Sequence, residues 1–508
     1  MMDLEYYKLT FFQKVAYKTK KFFSGFPKAF CNFFINLGKK TSAFFIRFFN
    51  AIKNFFLAFI QGDIVTKISY FVMGTGHVFR GQIVKGIIYF LLEVVFILYL
   101  VLFGGSYLGM FFENFFTGGA LGRTETHESN VWNDELGEYE VVWGDNSFHI
   151  LLYGILTLCI VLFFAYVYVR SIKESVRLEE AKIMGKKPDN FKRELGSLMD
   201  GKFHLPLLSL PMVGLFMFTV VPLITMIMIA FTNYDASHEV PYHLFDWVGF
   251  ENFASLFSGD TGRSATFGRV LGWTLIWAFF ATFTNYFGGM ILALLINKKG
   301  IRFKKGFRTA FVATIAVPQF VSLLLMSKML DEGGGIITQW IEQIFGYHMQ
   351  FGLDITTTRI CIIIVNMWIG VPYSMLICSG ILMNIPADLY ESAKIDGAGP
   401  VRSFFKITLP YMLFVTGPYL ITQFIGNINN FNVIFLLSGG GPGDILKYTD
   451  GAKGTDLLIT WLYKLSLGVD KDYKLASVIG ILVFVISAVF SLLVYNKSSA
   501  VKKEEDFQ

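Results

Sequence analysis

Long apolar runs alternate with shorter polar segments along this chain. Each run approaches or exceeds the roughly 20 residues an α-helix needs to cross a bilayer core. On that criterion we count about eight runs, near 83–104, 148–170, 205–231, 268–296, 309–330, 358–383, 409–437 and 474–495. The pattern predicts an all-α polytopic transmembrane bundle. Residues 1–60 read differently. Phe pairs recur at 22–23, 33–34, 44–45, 48–49 and 55–56, with Lys and Arg between them. Phe22, Phe26, Phe30 and Phe33 share one helical face, and Phe45, Phe48, Phe49, Ile52 and Phe56 share another. Such faces suit amphipathic helices lying in the inner membrane interface, where basic side chains meet anionic lipid.

Composition agrees. Of 508 residues, 54% are hydrophobic and 16% charged, and the mean hydropathy is +0.53. That balance excludes an ordinary soluble globular protein. The charges collect between the runs. The loops at 171–193 and 297–308 are rich in Lys and Arg, whereas 105–147 is acidic. The positive-inside rule then places both termini and the 391–410 loop in the cytoplasm of a multi-pass cell-membrane protein. No removable signal peptide is expected. Cys31, Cys159, Cys361 and Cys378 have no neighbour at metal-ligand spacing and read as packing thiols. Nothing points to nucleic acid.

Candidate chemistry is sparse. A phosphate-binding Gly-x-x-x-x-Gly-Lys-Ser/Thr run is absent from the sequence. The chain is therefore not expected to hydrolyse ATP or to be an enzyme, and no catalytic or metal-ligating constellation is expected. The stretch 74–86 has the wrong glycine spacing for a dinucleotide fingerprint and reads as a turn and helix start. Glu93 is the chief charge inside a run. Burying it costs about 2.5–3.5 kcal/mol on insertion scales, so it needs a partner, and a helix-contact role is expected.

The seventh run is polar without charge. Gln423, Asn427 and Asn430 fall at i, i+4 and i+7, with Asn429 and Asn432 on neighbouring faces and Phe424 and Phe431 flanking. The sixth run adds Asn366, Gly370 and Tyr373 at the same spacing, with Trp368 and Pro372 beside them. Pro372 removes a backbone bond and could free carbonyls to line a cavity. The fourth adds Trp273, Trp277 and Thr284. Two readings stand. The amides could be glue between helices, at about 1–2 kcal/mol each. They could instead donate to and accept from a neutral polyhydroxylated ligand, with rings covering its C–H faces. Convergent stripes with aromatics favour the second.

A polar elbow joins the sixth and seventh runs. Pro386 suits the first turn of a short helix, Gly397 suits its stop, and Gly399-Pro400 resets the chain. Glu391, Ala393, Gly397, Ile407, Leu409 and Pro410 resemble the EAA loop of importer-type ABC permeases. Together with Phe231-Thr-Asn-Tyr-Asp235, Val248-Gly-Phe-Glu-Asn-Phe253, Gly370-Val-Pro-Tyr373, Asn427-Ile-Asn-Asn-Phe431 and Ser438-Gly-Gly-Gly-Pro442, they make residues 205–496 similar to the larger permease subunit of maltose/maltodextrin-type ABC importers. The resemblance implies a type I, MetI-like core. It implies a sugar site at Gly370, Tyr373, Gln423, Asn427 and Asn430. It also implies an ATPase-coupling elbow carrying Glu391, Ala393, Gly397, Leu409 and Pro410. The partners it implies are a second permease subunit, two ABC ATPases that hold the ATP and Mg, an extracellular sugar-binding protein meeting the loop at 438–456, and an oligosaccharide. Maltodextrin, another oligosaccharide and a sugar alcohol all remain open.

The chain accordingly divides into a basic Phe-rich region at 1–80, two extra spans at 81–204, the permease core at 205–496 with its elbow at 386–410, and a charged tail at 497–508. The alternative outside this class is a proton-coupled sugar transporter acting alone.

Overall fold

The structure is a computed structural model. It describes residues 38–497 except 40, 44, 125–128, 134–136, 143, 186–190, 240–242, 259–261, 299 and 469–470. The Phe-rich faces before residue 38, Cys31 and most of the charged tail lie outside the described residues.

Eight described helices are long and apolar enough to cross a membrane. We label them with their shorter neighbours in chain order: α1 Thr41–Gln61, α2 Ile83–Glu113, α3 Ser147–Ile183, α4 His204–Ile229, α5 Gly262–Asn297, the pair α6 Lys304–Ile315 and α7 Gln319–Met329, α8 Ile355–Leu382, α9 Ala387–Ile395, α10 Pro400–Ile428, α11 Phe431–Ser438, α12 Leu458–Leu467 and α13 Tyr473–Val494. Among the described residues, strand is confined to two small antiparallel pairs, Gly119–Ala120 with Asp246–Trp247 and Ser129–Asn133 with Glu138–Val142.

Two runs depart from straight spans. The run at 309–330 is bent by 86° between α6 and α7. Pro318 sits at the N-cap of α7 with φ −56 and ψ 130, outside the helical region, and its missing N–H cannot continue the hydrogen-bond ladder of α6. The run at 409–437 is interrupted after Ile428. Asn430 takes extended backbone, and its side chain accepts from Val433 N–H to cap α11. Pro372, by contrast, does not break α8, which runs through it.

The chain forms two compact units. The first holds α1 to α3 and α4 up to Thr225. In α1, Phe45, Phe48, Phe49, Ile52 and Phe56 are all exposed, while the Phe55 and Phe59 rings pack on Tyr70. Residues 74–86 are a turn and helix start. Gly74 has φ +90 and lies so near Gly86 that a Cβ would sit 2.1 Å from its carbonyl oxygen. The guanidinium of Arg80, almost fully buried, donates to Asp63 at 2.7 Å and to the Ser175 carbonyl at 2.8 Å, which ties the short helix Thr75–Val78 to α3. Glu93 has its partner: Met73 N–H donates to its carboxylate at 2.8 Å.

The second unit is built around α5 and α8. Trp273, Trp277 and Ala281 of α5 share one core cluster with Cys361, Ile362 and Val365 of α8. Tyr286, Met290 and Ala293 share another with Met375, Cys378 and the α10 residue Met412. A third joins α12 and α13 through Trp461, Leu475 and Val478. Burying a large apolar side chain contributes about 1.5–3 kcal/mol, so these clusters fix the helix register that the polar site depends on.

Candidate solute site and elbow

One face of α5, one face of α8 and one face of α10 enclose a cavity of about 300 Å³ in the second unit. Gly370 and Tyr373 come from α8, Gln423 and Asn427 from α10, and Asn430 from the break that follows. The cavity thus brings together all five residues marked in the sequence. It adds Thr282, Asn285 and Tyr286 of α5, Asn366 of α8, Tyr419 of α10 and Gln319 at the start of α7. The bend at Pro318 puts Gln319 there, which a straight helix would not. No charged side chain lines this cavity among the described residues.

Hydrogen bonds set the rim. Asn427 donates from Nδ2 to the Thr282 hydroxyl at 3.0 Å, and Asn430 donates from Nδ2 to Asn427 Oδ1 at 3.3 Å. Tyr286 and Thr416 share a bond of 2.7 Å. Two amide atoms are left over. Asn285 Oδ1 and Asn366 Nδ2 are buried with no protein partner. An unpaired buried polar atom costs about 1–3 kcal/mol, so a ligand that supplies hydroxyls would find waiting partners. Gly370 keeps room for this arrangement. A Cβ on it would stand 2.1 Å from Asn285 Nδ2.

Several expected ring contacts lie elsewhere. Trp273 and Trp277 are buried core residues, not cavity walls. Trp273 Nε1 donates to the Thr455 carbonyl, and the Arg359 guanidinium lies 4.3 Å from its ring. Trp277 Nε1 donates to the Asn427 carbonyl. Phe424 stacks on Phe490 and Phe431 on Phe435. Thr284 bonds back to the Phe280 carbonyl, and Asn429 to that of Ile425. The residues that sequence reasoning missed, Asn285 and Gln319, are neutral amides inside or just after apolar runs. That signal was readable, but it did not sit in a repeating stripe.

The elbow is α9, a tight turn and the start of α10. Gly397 has φ +73. Ala398 N–H bonds to the Ala393 carbonyl at 2.8 Å, and Gly397 N–H to that of Lys394 at 3.0 Å. This pairing closes a helix on a left-handed residue. Tyr390 and Thr408 share a bond of 2.8 Å that ties α9 to α10. Glu391 and Gly397 are exposed and Ala393 half-buried. Leu409 instead packs against the α5–α8 core, beside the exposed Pro410. Ile395 and Val401 are 87% and 71% exposed, an apolar pair that a solvent-facing turn does not need.

The loop after α11 is well tied. Thr455 N–H bonds to the Gly440 carbonyl at 2.8 Å, and Arg359 donates to that of Gly454. Burial pushes the Asp456 carboxyl up, against the pull of Lys464 2.7 Å away. Ile445 and Leu446, at the tip, are 93% and 98% exposed. Nearby, Asp235 accepts from Lys474 at 2.6 Å. Burial works to raise the Asp235 carboxyl, but its bonds from Lys474, Ser237 and His238 outweigh that and hold it well below the usual carboxylate range.

Spanning helices around an uncharged amide cavity, with a capped elbow at the end of one of them, define a class: a polytopic helical membrane protein with an intramembrane polar site. Residues 285–503 match the family described as "Binding-protein-dependent transport system inner membrane component". The maltodextrin transport system permease protein MalC of Streptococcus pneumoniae is 32% identical over 85% of this chain and 95% of its own length. MdxF of Bacillus subtilis, also a maltodextrin transport system permease protein, is 35% identical over 71% of this chain and 84% of its own. From the same organism, the galactooligosaccharides transport system permease protein GanP is 34% identical over 87% of this chain and 99% of its own. The chain belongs to this family of inner-membrane transport components.

Proposed function

We propose that this chain is the pore-forming permease subunit of an ATP-driven importer for maltodextrin-like oligosaccharide. The observation that carries the reading is the cavity of about 300 Å³, lined by amides and hydroxyls from α5, α7, α8, α10 and the break after it and, among the described residues, by no charged side chain. It is at the lower end of the usual range for ligand pockets, about 300–1,000 Å³. Neutral donors and acceptors match hydroxyls. Proton coupling would want an ionisable group in the cavity.

Two relatives named for maltodextrin support that substrate, and one named for galactooligosaccharides supports the second reading. In the proposed assembly a second permease subunit completes the pore, and two ABC ATPases bind the ATP and Mg. An extracellular sugar-binding protein delivers the ligand near 438–456. Glu391, Ala393 and Gly397 seat α9 in an ATPase, while Leu409 and Pro410 pass its movement into α10. Work comes from the difference in affinity of ATP for two arrangements of the assembly. Both termini face the cytoplasm.

The test is uptake by the reconstituted assembly, with labelled maltodextrin and galactooligosaccharide in competition. Tyr373→Ala with Asn427→Ala should abolish uptake and leave basal ATP hydrolysis. Unchanged uptake in that variant removes the pore assignment. Preference for the galactooligosaccharide selects the second reading.

A further inference from the structure

The first unit lies wholly outside the matched residues 285–503, and the solute site makes no use of it. It holds a basic pocket of its own. The apolar part of α3 ends at Val169. Beyond it Arg170, Lys173, Glu174 and Arg177 follow at i, i+3, i+4 and i+7, so they share one helical face. Two cavities, of about 400 and 310 Å³, share Arg170, Glu174 and Arg177 in their walls. Lys85 at the start of α2 and Lys202 just before α4 close the first, and Lys173 lines the second.

Five cations thus face one carboxylate. Glu174 is already engaged by Lys85 at 2.9 Å and Arg170 at 3.3 Å. Those bonds hold two of the cations in place. Lys173, Arg177 and Lys202 make no ion pair among the described residues, and all three are exposed. Three elements converge to present them, which a topogenic charge run along one loop would not require. The surroundings decide what they bind. Ile83 and Ile87 on α2 are 57% and 48% exposed, and Leu205 and Leu208 on α4 are 49% and 52% exposed. Apolar surface therefore runs away from the pocket along helices of spanning length.

We propose that this pocket binds the phosphate of an anionic phospholipid, whose acyl chains lie along the exposed faces of α2 and α4. Each unpaired cation at a membrane surface adds to the attraction for anionic lipid, and the three together give a selectivity of about tenfold. A free phosphate would satisfy the charges but not cover the apolar tract.

The test is lipid retention by the full-length chain in nanodiscs of phosphatidylglycerol and phosphatidylcholine, read by native mass spectrometry. The wild type should keep phosphatidylglycerol over phosphatidylcholine by about tenfold. Lys173→Gln, Arg177→Gln and Lys202→Gln together should reduce this to about twofold or less, with unchanged thermal unfolding. Lys298→Gln, Lys304→Gln and Lys305→Gln together should leave the preference intact, and so should excess inorganic phosphate. The proposal is overturned by no preference in the wild type or by full preference in the pocket variant. An equal loss in the second variant means bulk charge attraction and overturns it too. Displacement by inorganic phosphate makes the ligand a soluble anion and overturns the lipid assignment.

Discussion

The indole N–H of Trp277 donates to the backbone carbonyl of Asn427 at 3.1 Å. The tryptophan lies in the α5 core, and the asparagine lies one residue before α10 ends. A buried ring therefore braces the point where the amide stripe leaves its helix. Trp277→Phe keeps an aromatic ring, though a smaller one, and removes the donor. It should destabilise the chain by about 1–3 kcal/mol, the cost of one buried unpaired acceptor. Thermal unfolding in detergent measures it, and an unchanged midpoint would show the brace to be idle.

Gly370 is the tightest point of the cavity. Gly370→Ala drives a methyl into Asn285 and must displace it, since the side chain would stand 2.1 Å away. Solute affinity should fall by about tenfold or more, equivalent to at least about 1.4 kcal/mol. Basal ATP hydrolysis by the assembly should not change. Equilibrium binding of labelled sugar is the measurement, and wild-type affinity counts against a ligand in this cavity.

At the elbow, Gly397 holds φ +73. A Cβ there costs about 1–2 kcal/mol, whereas Asn tolerates the left-handed region better. Gly397→Ala should lower solute-stimulated ATP hydrolysis more than Gly397→Asn does. Equal effects of the two would mean that backbone conformation is not what the turn contributes.

Asp235 and Lys474 give a pH dependence. The folded carboxyl lies below its unfolded value of 3.8. Its contribution to stability is therefore fully present above about pH 3.8 and is lost as pH falls through the folded value. Lys474→Met removes the chief partner. Unfolding followed from neutral to strongly acidic pH should show a shallower acid loss in the variant than in the wild type. Parallel curves would mean that the pair carries no linkage.

Six of the eight apolar runs meet straight or nearly straight helices, because twenty apolar residues in a bilayer have few alternatives to a helix. The amides at 423 and 427 were equally legible, since period 3.6 places them on one face of α10, whereas Asn430 reaches the same cavity from the extended break after that helix. The role of the rings was not. Trp273 and Trp277 look like sugar platforms in the sequence, yet they point into a core cluster, because only packing decides which face of α5 meets α8.

The sequence by itself determined the helical class, the elbow and the polar face of α10, since these rest on local periodicity, glycine conformation and hydropathy. Tertiary structure alone decided that the 309–330 run bends to bring Gln319 to the cavity, that Asn285 faces Gly370, and that Arg170, Arg177, Lys85 and Lys202 meet around Glu174. Those relations join residues far apart in the chain. They follow from how whole helices pack, which no local pattern encodes.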